Sequence, residues 1–283
     1  MSAAKTAAPG EPSDAQSMPP VPAVLTEGLS LVHGDRVALG DVSIRIEPGQ
    51  TVALIGPNGS GKSTLMNAIA GLHRPRTGRI EVFGHLPGEV PVAYVFQATH
   101  VPAHLPLTVR EVVRMGRYRH SGLIGRIGND GKEIVSRSIS RLGLDDLVAR
   151  QLQELSGGQR QRVLVAQGLA SQSDLLMLDE PMTGLDPMAR DRIISIIKEE
   201  AGAGRTVIFS THDMSEAHLA DQVVLLAGRL IAAGSPTHAL ADENLARAYK
   251  AQLIGAGSHS HGVIDDAHHH DVHHHHEEHG HLH

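Results

Sequence analysis

The amino-acid sequence predicts an α/β fold in which a mostly parallel sheet is covered by helices on both faces. Five short apolar runs have the length and composition of buried strands: residues 51–55, 93–96, 175–178, 207–209 and 223–226. Helical patterns lie between them, and the clearest, residues 187–200, has Asp186 as its N-cap and Pro187 at its first position. Strands that alternate with helices along a chain are typical of a parallel sheet.

The regions outside this pattern divide the chain into a leader, a folded domain and a tail. Residues 1–24 are rich in Ala, Pro, Ser and Gly and predict a disordered leader. Residues 25–250 predict the folded domain, and within it residues 101–160 show helical patterns that predict a helical insertion. Residues 251–283 are of low complexity and predict a disordered tail.

Composition excludes several classes of function. The 283 residues include no Cys, which rules out a disulfide scaffold, a thiolate zinc site and a cysteine nucleophile. Only 2% are aromatic, which argues against a surface on which nucleic-acid bases stack. Five of the six net negative charges belong to residues after Lys250, so the body is nearly neutral and no nucleic-acid partner is expected. No run of about 18 apolar residues occurs, so a membrane role requires partner subunits.

The strongest motif is a glycine-rich loop that follows the first apolar run. The letters GPNGSGKS, followed by Thr64, fit the P-loop pattern G-x-x-x-x-G-K-[ST]. Glycines let backbone N–H groups curl around phosphates, Lys62 adds positive charge beside the β- and γ-phosphates, and the Ser63 hydroxyl binds Mg²⁺. The residues expected at the phosphates are Gly56, Pro57, Asn58, Gly59, Ser60, Gly61, Lys62, Ser63 and Thr64.

Two carboxylates end the apolar run at residues 175–178. A strand end at this place puts Asp179 beside the P-loop, where it can hold the Mg²⁺ shell, and Glu180 can polarise an attacking water. Taken alone, an apolar run that ends in Asp-Glu is equally consistent with a solvated strand end. Its order behind a P-loop favours the catalytic interpretation.

A second anion-binding pattern stands directly before an apolar-periodic helix. It consists of Leu155, Ser156, Gly157, Gly158 and Gln159, the letters LSGGQ. A serine and two glycines at a helix N-terminus form an anion site, because free N–H groups and the positive end of the helix dipole converge there. From composition alone, an ordinary N-cap with glycines for the turn is equally open. An enzyme with one phosphate cradle has no need of a second anion site.

The order of the P-loop, LSGGQ, the carboxylate pair and His212 resembles that of ATP-binding cassette (ABC) ATPases. Gln97 resembles the Q-loop glutamine of that family, Asp186 ends a TGLD segment similar to its D-loop, and STHD around His212 is similar to its switch-histidine segment. The resemblance covers about residues 29–245. It implies a RecA-like core with a mostly parallel sheet, an N-terminal antiparallel β subdomain and a helical insertion.

The resemblance also implies how the motifs are used with ATP and Mg²⁺. Two subunits are expected to pair head to tail as a homodimer, so that LSGGQ of one subunit covers the ATP on the P-loop of the other. Glu180 is expected to orient the attacking water, His212 to hold that water and the γ-phosphate, and Gln97 to reach Mg²⁺ and signal to a transporter subunit. The expected catalytic residues are Lys62, Gln97, Glu180 and His212, and the expected Mg²⁺ ligands are Ser63, Gln97 and Asp179.

One position departs from the family pattern. ABC ATPases usually place an aromatic residue, often Tyr, before the P-loop to stack on adenine, and here that position holds His33. An imidazole ring offers a smaller stacking area than a phenol ring. The expected adenine contact of His33 is therefore smaller than in the family pattern.

Residues 97–117 resemble the stretch after the Q-loop in cassettes of zinc, manganese and iron uptake systems. This resemblance implies the ATPase subunit of a metal-ion importer, with zinc first and manganese next, at the cytoplasmic face of the cell membrane. The implied partners are integral membrane permease subunits and an extracytoplasmic metal-binding protein. The alternatives are a cassette for siderophores, haem or cobalamin, which share part of this stretch, and a soluble ABC ATPase that acts on nucleic acid or the ribosome.

Histidine is concentrated in the predicted tail, which holds twelve of the 21 histidines with carboxylates between them. Imidazole and carboxylate together suit Zn²⁺, Ni²⁺ or Cu²⁺, and a flexible tail binds several such ions weakly rather than one in a closed site. Metal buffering or sensing is favoured over an affinity tag, a solubilising tail and a pH-responsive tail. The expected Zn²⁺ ligands are His259, His261, His268, His269, His270, His273, His274, His275, His276, His279, His281 and His283.

Overall fold

A six-stranded sheet forms the centre of the part of the chain that the computed structural model describes, residues 20–34, 36–97, 106–121 and 127–257. Every strand pairing in it is parallel except the antiparallel pairing of the last two strands. The predicted α/β class with a mostly parallel sheet is confirmed. From edge to edge the strands are β5 (Val92–Val95), β6 (Leu175–Leu178), β7 (Thr206–Thr211), β3 (Thr51–Ile55), β8 (Gln222–Leu226) and β9 (Leu230–Gly234).

A second sheet of three antiparallel strands packs over one face of the first. Its order is β2 (Arg36–Ile46), β1 (Val24–His33) and β4 (Thr77–Val82). These strands share a hydrophobic core with helix α1 (Lys62–Ile69) and one face of β3. The predicted leader, residues 1–24, ends too late, because Val24 already belongs to β1 and the Ala23 N–H donates to the Ile46 carbonyl at 2.8 Å.

The described part of the predicted helical insertion consists of short helices packed on a long one. It contains α2 (Val109–Met115), α3 (Tyr118–Ser121) and α4 (Asn129–Arg141), followed by 3-10 turns at Asp145–Leu147 and Leu152–Glu154, and it leads into α5 (Gly157–Ser171). Buried Val112, Ile139 and Val163 join these helices in one core. Among the described residues of this segment, strand pairing is limited to the isolated bridge between Thr108 and Gln151.

The remaining helices follow strands of the large sheet. They are α6 (Pro187–Gly202), α7 (Met214–Ala217), α8 (Pro236–Ala239) and α9 (Asp242–Gly257). A disordered tail from residue 251 is wrong for its first seven residues, since the Ala- and Leu-containing sequence continues α9 to Gly257. Residues 1–19, 98–105 and 258–283, where the rest of the leader, part of the predicted transporter contact and all twelve tail histidines fall, lie outside the described residues. Within the described ranges, no helix combines the length and apolarity that crossing a bilayer requires.

The strand order determines where the chemistry can gather. Because β6, β7 and β3 are parallel neighbours, their carboxyl ends lie at one edge of the sheet. The P-loop follows β3, the carboxylate pair follows β6, and His212 follows β7. Gln97 follows β5, the next parallel strand. Four motifs that are far apart in sequence therefore meet at the same edge.

Candidate functional site

The P-loop between β3 and α1 is a cradle whose backbone requires glycine. Gly56, Gly59 and Gly61 have φ angles of +152°, +77° and +101°, a region that L side chains rarely adopt. A Cβ on Gly56 would lie 2.0 Å from the Leu226 carbonyl oxygen, and one on Gly61 would lie 3.0 Å from the Ala38 oxygen. Backbone atoms of β8 therefore lie against the cradle at Gly56, and backbone atoms of β2 lie against it at Gly61.

The Lys62 side chain folds back onto the carbonyl groups of the cradle. The Lys62 ammonium donates to the Gly56 carbonyl at 2.8 Å and the Pro57 carbonyl at 3.3 Å, and only 6% of the residue is exposed. Burial lowers the pKa of Lys62, while the charges of Glu180 and Asp179 act in the opposite direction. The negative charges of both carboxylates therefore stabilise the protonated form of Lys62.

Several donors of the cradle suit a phosphate ligand. The Ser60 hydroxyl is buried and has no hydrogen-bond partner among the described residues. Gly61 caps α1 without a side-chain hydrogen bond, so the first N–H groups of the helix are available to a ligand. Ser63 is exposed in the first helical turn, followed by half-buried Thr64. These observations fit nucleotide phosphates with Mg²⁺.

The carboxylate of Asp179 is held between two strands. The residue is 7% exposed, its Oδ1 accepts from the Ser210 hydroxyl of β7 at 2.5 Å, and its Oδ2 accepts from the Tyr94 hydroxyl of β5 at 3.4 Å. Burial, together with the charge and hydrogen bond of Asp179, raises the pKa of Tyr94 well above its usual value. Tyr94 is therefore a hydrogen-bond donor to Asp179 at neutral pH.

Glu180 lies between Ser210 of β7 and the Q-loop residue Gln97. Its Oε2 accepts from the Gln97 amide at 3.5 Å and from the Thr183 hydroxyl at 3.2 Å, and its N–H donates to Ser210 Oγ at 2.8 Å. Its φ of +47° is unusual for a residue with a side chain. The structure thus brings Glu180 and Gln97 together.

His212 stands in a turn that is held from both sides. The register pairs Thr211 with Ile55, so His212 comes at the same level of the sheet as the start of the P-loop, and its side chain is exposed. The Thr211 hydroxyl donates to Glu216. On the other side, Arg190 of α6 binds Asp213 at 2.8 Å and Glu216 at 3.1 Å.

LSGGQ forms the exposed start of α5. Ser156 is the N-cap, its hydroxyl accepts from the Gln159 N–H at 3.2 Å, and the Gln159 side chain accepts from the Ser156 N–H at 3.0 Å. Leu155 is buried, whereas Ser156 and Gly157 are exposed. This arrangement is a capping box, as the N-cap interpretation predicts, and the anion-site interpretation stays a prediction.

Comparison with known proteins decides the family. The model of the ABC transporter family matches residues 39–183, just over half of the chain. This chain belongs to the ABC transporter family. The predicted ABC membership and ATP hydrolysis are both confirmed.

Individual relatives of this cassette cover most of it. The manganese transport system ATP-binding protein MntB of Halalkalibacterium halodurans is 37% identical over 235 residues, which cover 82% of this chain and 94% of that protein. The zinc transport system ATP-binding protein TroB of Treponema pallidum is 39% identical over 234 residues, covering 82% and 88%. Among solved structures, a chain described as part of a metal-chelate type ABC transporter in an inward-facing conformation has a TM-score of 0.71 and 29% identity, covering 81% of this chain and 89% of that one.

Two further predicted residues of the ABC cassette have clear positions. Asp186 is the N-cap of α6, where its carboxylate accepts from the Ala189 N–H at 2.9 Å. His33 is exposed at the end of β1.

The β1–β2 hairpin is connected to the P-loop through Gly228. The Gly40 N–H of the hairpin donates to the Gly228 carbonyl at 2.9 Å, and the Gly228 N–H donates to the Ser60 carbonyl at 3.0 Å.

The predicted Zn²⁺ ligands of the tail cannot be placed in the cassette, because they lie outside the described residues. Within the described part of the chain, no group of three or more His, Asp or Glu side chains could hold a metal ion. The metal prediction for the tail therefore stays a prediction.

Sequence reasoning assigned no role to three residues that contact the carboxylates, namely Tyr94, Thr183 and Ser210. Ser210 carried a weak signal, because its hydroxyl directly follows the apolar run at residues 207–209. Tyr94 carried none, since a tyrosine in a strand next to an apolar core is an ordinary residue.

Proposed function

We propose that this cassette is the ATPase subunit of a metal-ion importer and that it energises separate membrane permease subunits from the cytoplasmic face of the membrane. The supporting observation is that relatives named for manganese, zinc and chelated iron transport are between 36% and 39% identical to it. The match to the manganese and zinc relatives spans most of both chains. An extracytoplasmic metal-binding protein completes the proposed system.

In this proposal the P-loop residues and Lys62 hold the phosphates of ATP. Ser63, Asp179 and Gln97 hold Mg²⁺, which neutralises charge on the β- and γ-phosphates when bound. Glu180 orients the attacking water, and the Gln97 amide and Thr183 hydroxyl keep its carboxylate in place. His212 contacts the γ-phosphate and the water.

The site is completed by a second copy of the chain in a head-to-tail homodimer. The exposed capping box of LSGGQ offers a serine hydroxyl and the N-terminus of a 15-residue helix to a ligand from outside. The proposed ligand is the γ-phosphate bound to the other subunit. Asp186, the last residue of the D-loop segment, lies at the same interface. His33 contacts adenine.

Zinc is the proposed substrate, and manganese is the alternative. The twelve tail histidines support zinc, because imidazole ligands favour Zn²⁺ over Mn²⁺, which prefers oxygen ligands. The proposed role of the tail is to buffer or sense the transported ion. A cassette for siderophores, haem or cobalamin is the second candidate, in which the tail is incidental.

The test is uptake by the full-length chain reconstituted in vesicles with its permease subunits and the metal-binding protein. ATP-dependent uptake of free Zn²⁺ by the wild type, and its absence in Glu180→Gln, supports the proposal. Uptake of free Mn²⁺ alone rejects zinc and retains the metal-ion class. Uptake of a chelate without any free ion rejects the metal-ion class.

The tail is tested separately in the full-length chain. Replacing its twelve histidines by Gln is expected to leave the ATPase rate unchanged and to remove binding of several Zn²⁺ ions per chain, measured by calorimetry. An equal zinc stoichiometry in both proteins rejects the tail as a metal site.

A further inference from the structure

Ser210 is a completely buried hydroxyl that contacts both members of the carboxylate pair. It is 0% exposed and lies near the end of β7. Its proton is donated to Asp179 Oδ1 at 2.5 Å, and its oxygen accepts the Glu180 N–H at 2.8 Å. A serine hydroxyl has one proton and two lone pairs, so these two bonds fix its rotation.

The bond to Glu180 supports an unusual backbone. Glu180 has a φ of +47°, in the left-handed region that is unfavourable for residues with a side chain. This conformation turns the chain directly after β6, and the Thr183 N–H closes the turn on the Glu180 carbonyl at 3.3 Å. Ser210 is the acceptor that holds the N–H of this strained residue. The direction of the Glu180 side chain therefore depends on the Ser210 hydroxyl.

The bond to Asp179 fixes the other carboxylate. Strand β6 lies between β5 and β7, and each neighbour supplies one donor, Tyr94 to Oδ2 and Ser210 to Oδ1. The Asp179 N–H also donates to the Val95 carbonyl at 2.9 Å. The Ser210 bond is the shorter of the two side-chain bonds, so it is the stronger constraint on the carboxylate plane.

We propose that Ser210 is a positioning residue that orients the Mg²⁺-binding carboxylate and the water-orienting carboxylate through a single hydroxyl. This inference rests on the proposed roles of Asp179 and Glu180. It means that one side chain controls two measurable properties, the Mg²⁺ concentration needed for activity and the rate of hydrolysis. A serine that only filled space in β7 would influence neither of them selectively.

The first experiment compares Ser210→Ala with Ser210→Thr in the full-length chain. Losing a hydrogen bond to a charged group costs about tenfold or more, so Ser210→Ala is expected to lower kcat at least tenfold and to raise the half-saturating Mg²⁺ concentration several-fold. Ser210→Thr keeps the hydroxyl and is expected to restore most of both losses. The KM for ATP at saturating Mg²⁺ is expected to change less than twofold.

A matched control is Ser138→Ala, another buried serine whose hydroxyl donates to the Ile134 carbonyl inside α4. It is expected to leave kcat and the Mg²⁺ requirement unchanged. Ser210→Cys, which keeps the shape of the side chain with a weak donor, replaces Ser210→Ala if that variant does not fold. Wild-type kcat and Mg²⁺ requirement in Ser210→Ala, or losses that Ser210→Thr does not restore, overturn the proposal.

Mg²⁺-dependent binding of a fluorescent ATP analogue separates this inference from the proposed catalytic roles. In the Glu180→Gln background, where hydrolysis is expected to be absent, adding Ser210→Ala should still raise the half-saturating Mg²⁺ concentration for binding. If Glu180→Gln retains turnover, the proposed role of Glu180 fails, and Ser210 is judged on this Mg²⁺ shift alone. No shift in that background overturns the positioning of Asp179 by Ser210.

Discussion

Two glycine-containing motifs of the cassette, the P-loop at residues 56–63 and LSGGQ at residues 155–159, differ in what surrounds their glycines. At the P-loop, a Cβ on Gly56 would collide with backbone 2.0 Å away. At LSGGQ, a Cβ on Gly157 would meet no described atom within 4 Å, and one on Gly158 would meet only the end of the Leu185 side chain at 3.2 Å. The fold of one subunit therefore requires the P-loop glycine but not Gly157, which leaves room for something outside the subunit.

Two polar side chains of the P-loop, Ser60 and Lys62, are buried, whereas those of LSGGQ lie at the surface. In the P-loop, Lys62 is buried against carbonyl oxygens of its own loop and the Ser60 hydroxyl has no described partner. In LSGGQ, Ser156 and Gln159 satisfy each other at the protein surface. The first motif is preformed for a phosphate by one chain. In the second, the Ser156 oxygen accepts the cap bond, so its O–H proton stays available to a ligand from outside.

The largest effect is expected when the preformed cradle is broken. Gly56→Ala places a methyl group against the Leu226 carbonyl at a φ of +152°, so the free energy of unfolding is expected to fall by roughly 3–5 kcal/mol. Urea unfolding followed by circular dichroism measures it. ATP binding is expected to be lost with the cradle.

The matched control for Gly56→Ala is Gly157→Ala. Ala is favoured over Gly in a helix and the site is open, so the free energy of unfolding is expected to stay equal or rise by up to about 1 kcal/mol. Destabilisation of similar size in both variants would contradict the comparison between the two motifs.

A smaller effect on stability is expected from removing the helix cap of LSGGQ. Ser156→Ala loses the N-cap hydroxyl and is expected to lower the free energy of unfolding by about 1 kcal/mol. The ATPase rate is expected to fall by more than about tenfold, because the same hydroxyl is proposed to contact ATP on the other subunit. Urea unfolding and steady-state ATPase assays on the same samples measure the two quantities.

Ser156→Asp is the control that separates the two roles of this residue. Aspartate is an equally good N-cap, so stability is expected to return to the wild-type value. Its negative charge repels a phosphate, so the ATPase rate is expected to stay low. Recovery of activity together with stability would show that the serine acts only as a cap.

The strands of the fold were predictable where a run is continuously apolar, and two strands with few buried residues, β4 and β9, were not. All five continuous apolar runs became strands of the large sheet, because a hydrophobic core covers each face of that sheet and a strand between two cores needs no polar side. Strands β4 and β9 lacked this signal. Their burial alternates or is partial, and their sequences, TGRIEV and LIAAG, contain few large apolar residues.

The candidate site was predictable in its motifs and not in its supports. Each motif is a contiguous string of residues whose chemistry can be recognised locally. The hydroxyls that hold Asp179 come from Tyr94 and Ser210, which are 85 and 31 residues away in sequence. Such contacts depend on strand order, and strand order follows from long-range packing that one sequence does not reveal.

The turn that carries His212 differs from both glycine-containing motifs. It is exposed like LSGGQ, but an ion pair between Arg190 and Asp213 holds it. Hydrogen bonds from Ser215, together with the Arg190 guanidinium, lower the pKa of Asp213 from 3.8 to about 2. A carboxyl whose pKa is lower in the folded state contributes stability above its unfolded pKa and loses it as the pH falls. The contribution of Asp213 is therefore present at neutral pH and declines between about pH 4 and pH 2.

The smallest of the three effects is expected from Asp213→Asn. Because the carboxylate is more than one-third exposed, solvent screens the pair, and the loss at pH 7 is expected to stay below about 1 kcal/mol. Urea unfolding at pH 7, 5 and 3 is expected to show this difference shrinking towards acid. Arg190→Gln also removes the pair with buried Glu216, so it is expected to cost more than Asp213→Asn. The two substitutions are expected to be partly non-additive, since both remove the Arg190–Asp213 pair. As a control, Glu133→Gln breaks an exposed pair with Arg137 on α4 and should be additive with both. A difference between wild type and Asp213→Asn that persists unchanged at pH 3 would mean that the Asp213 carboxylate does not hold the His212 turn through its charge.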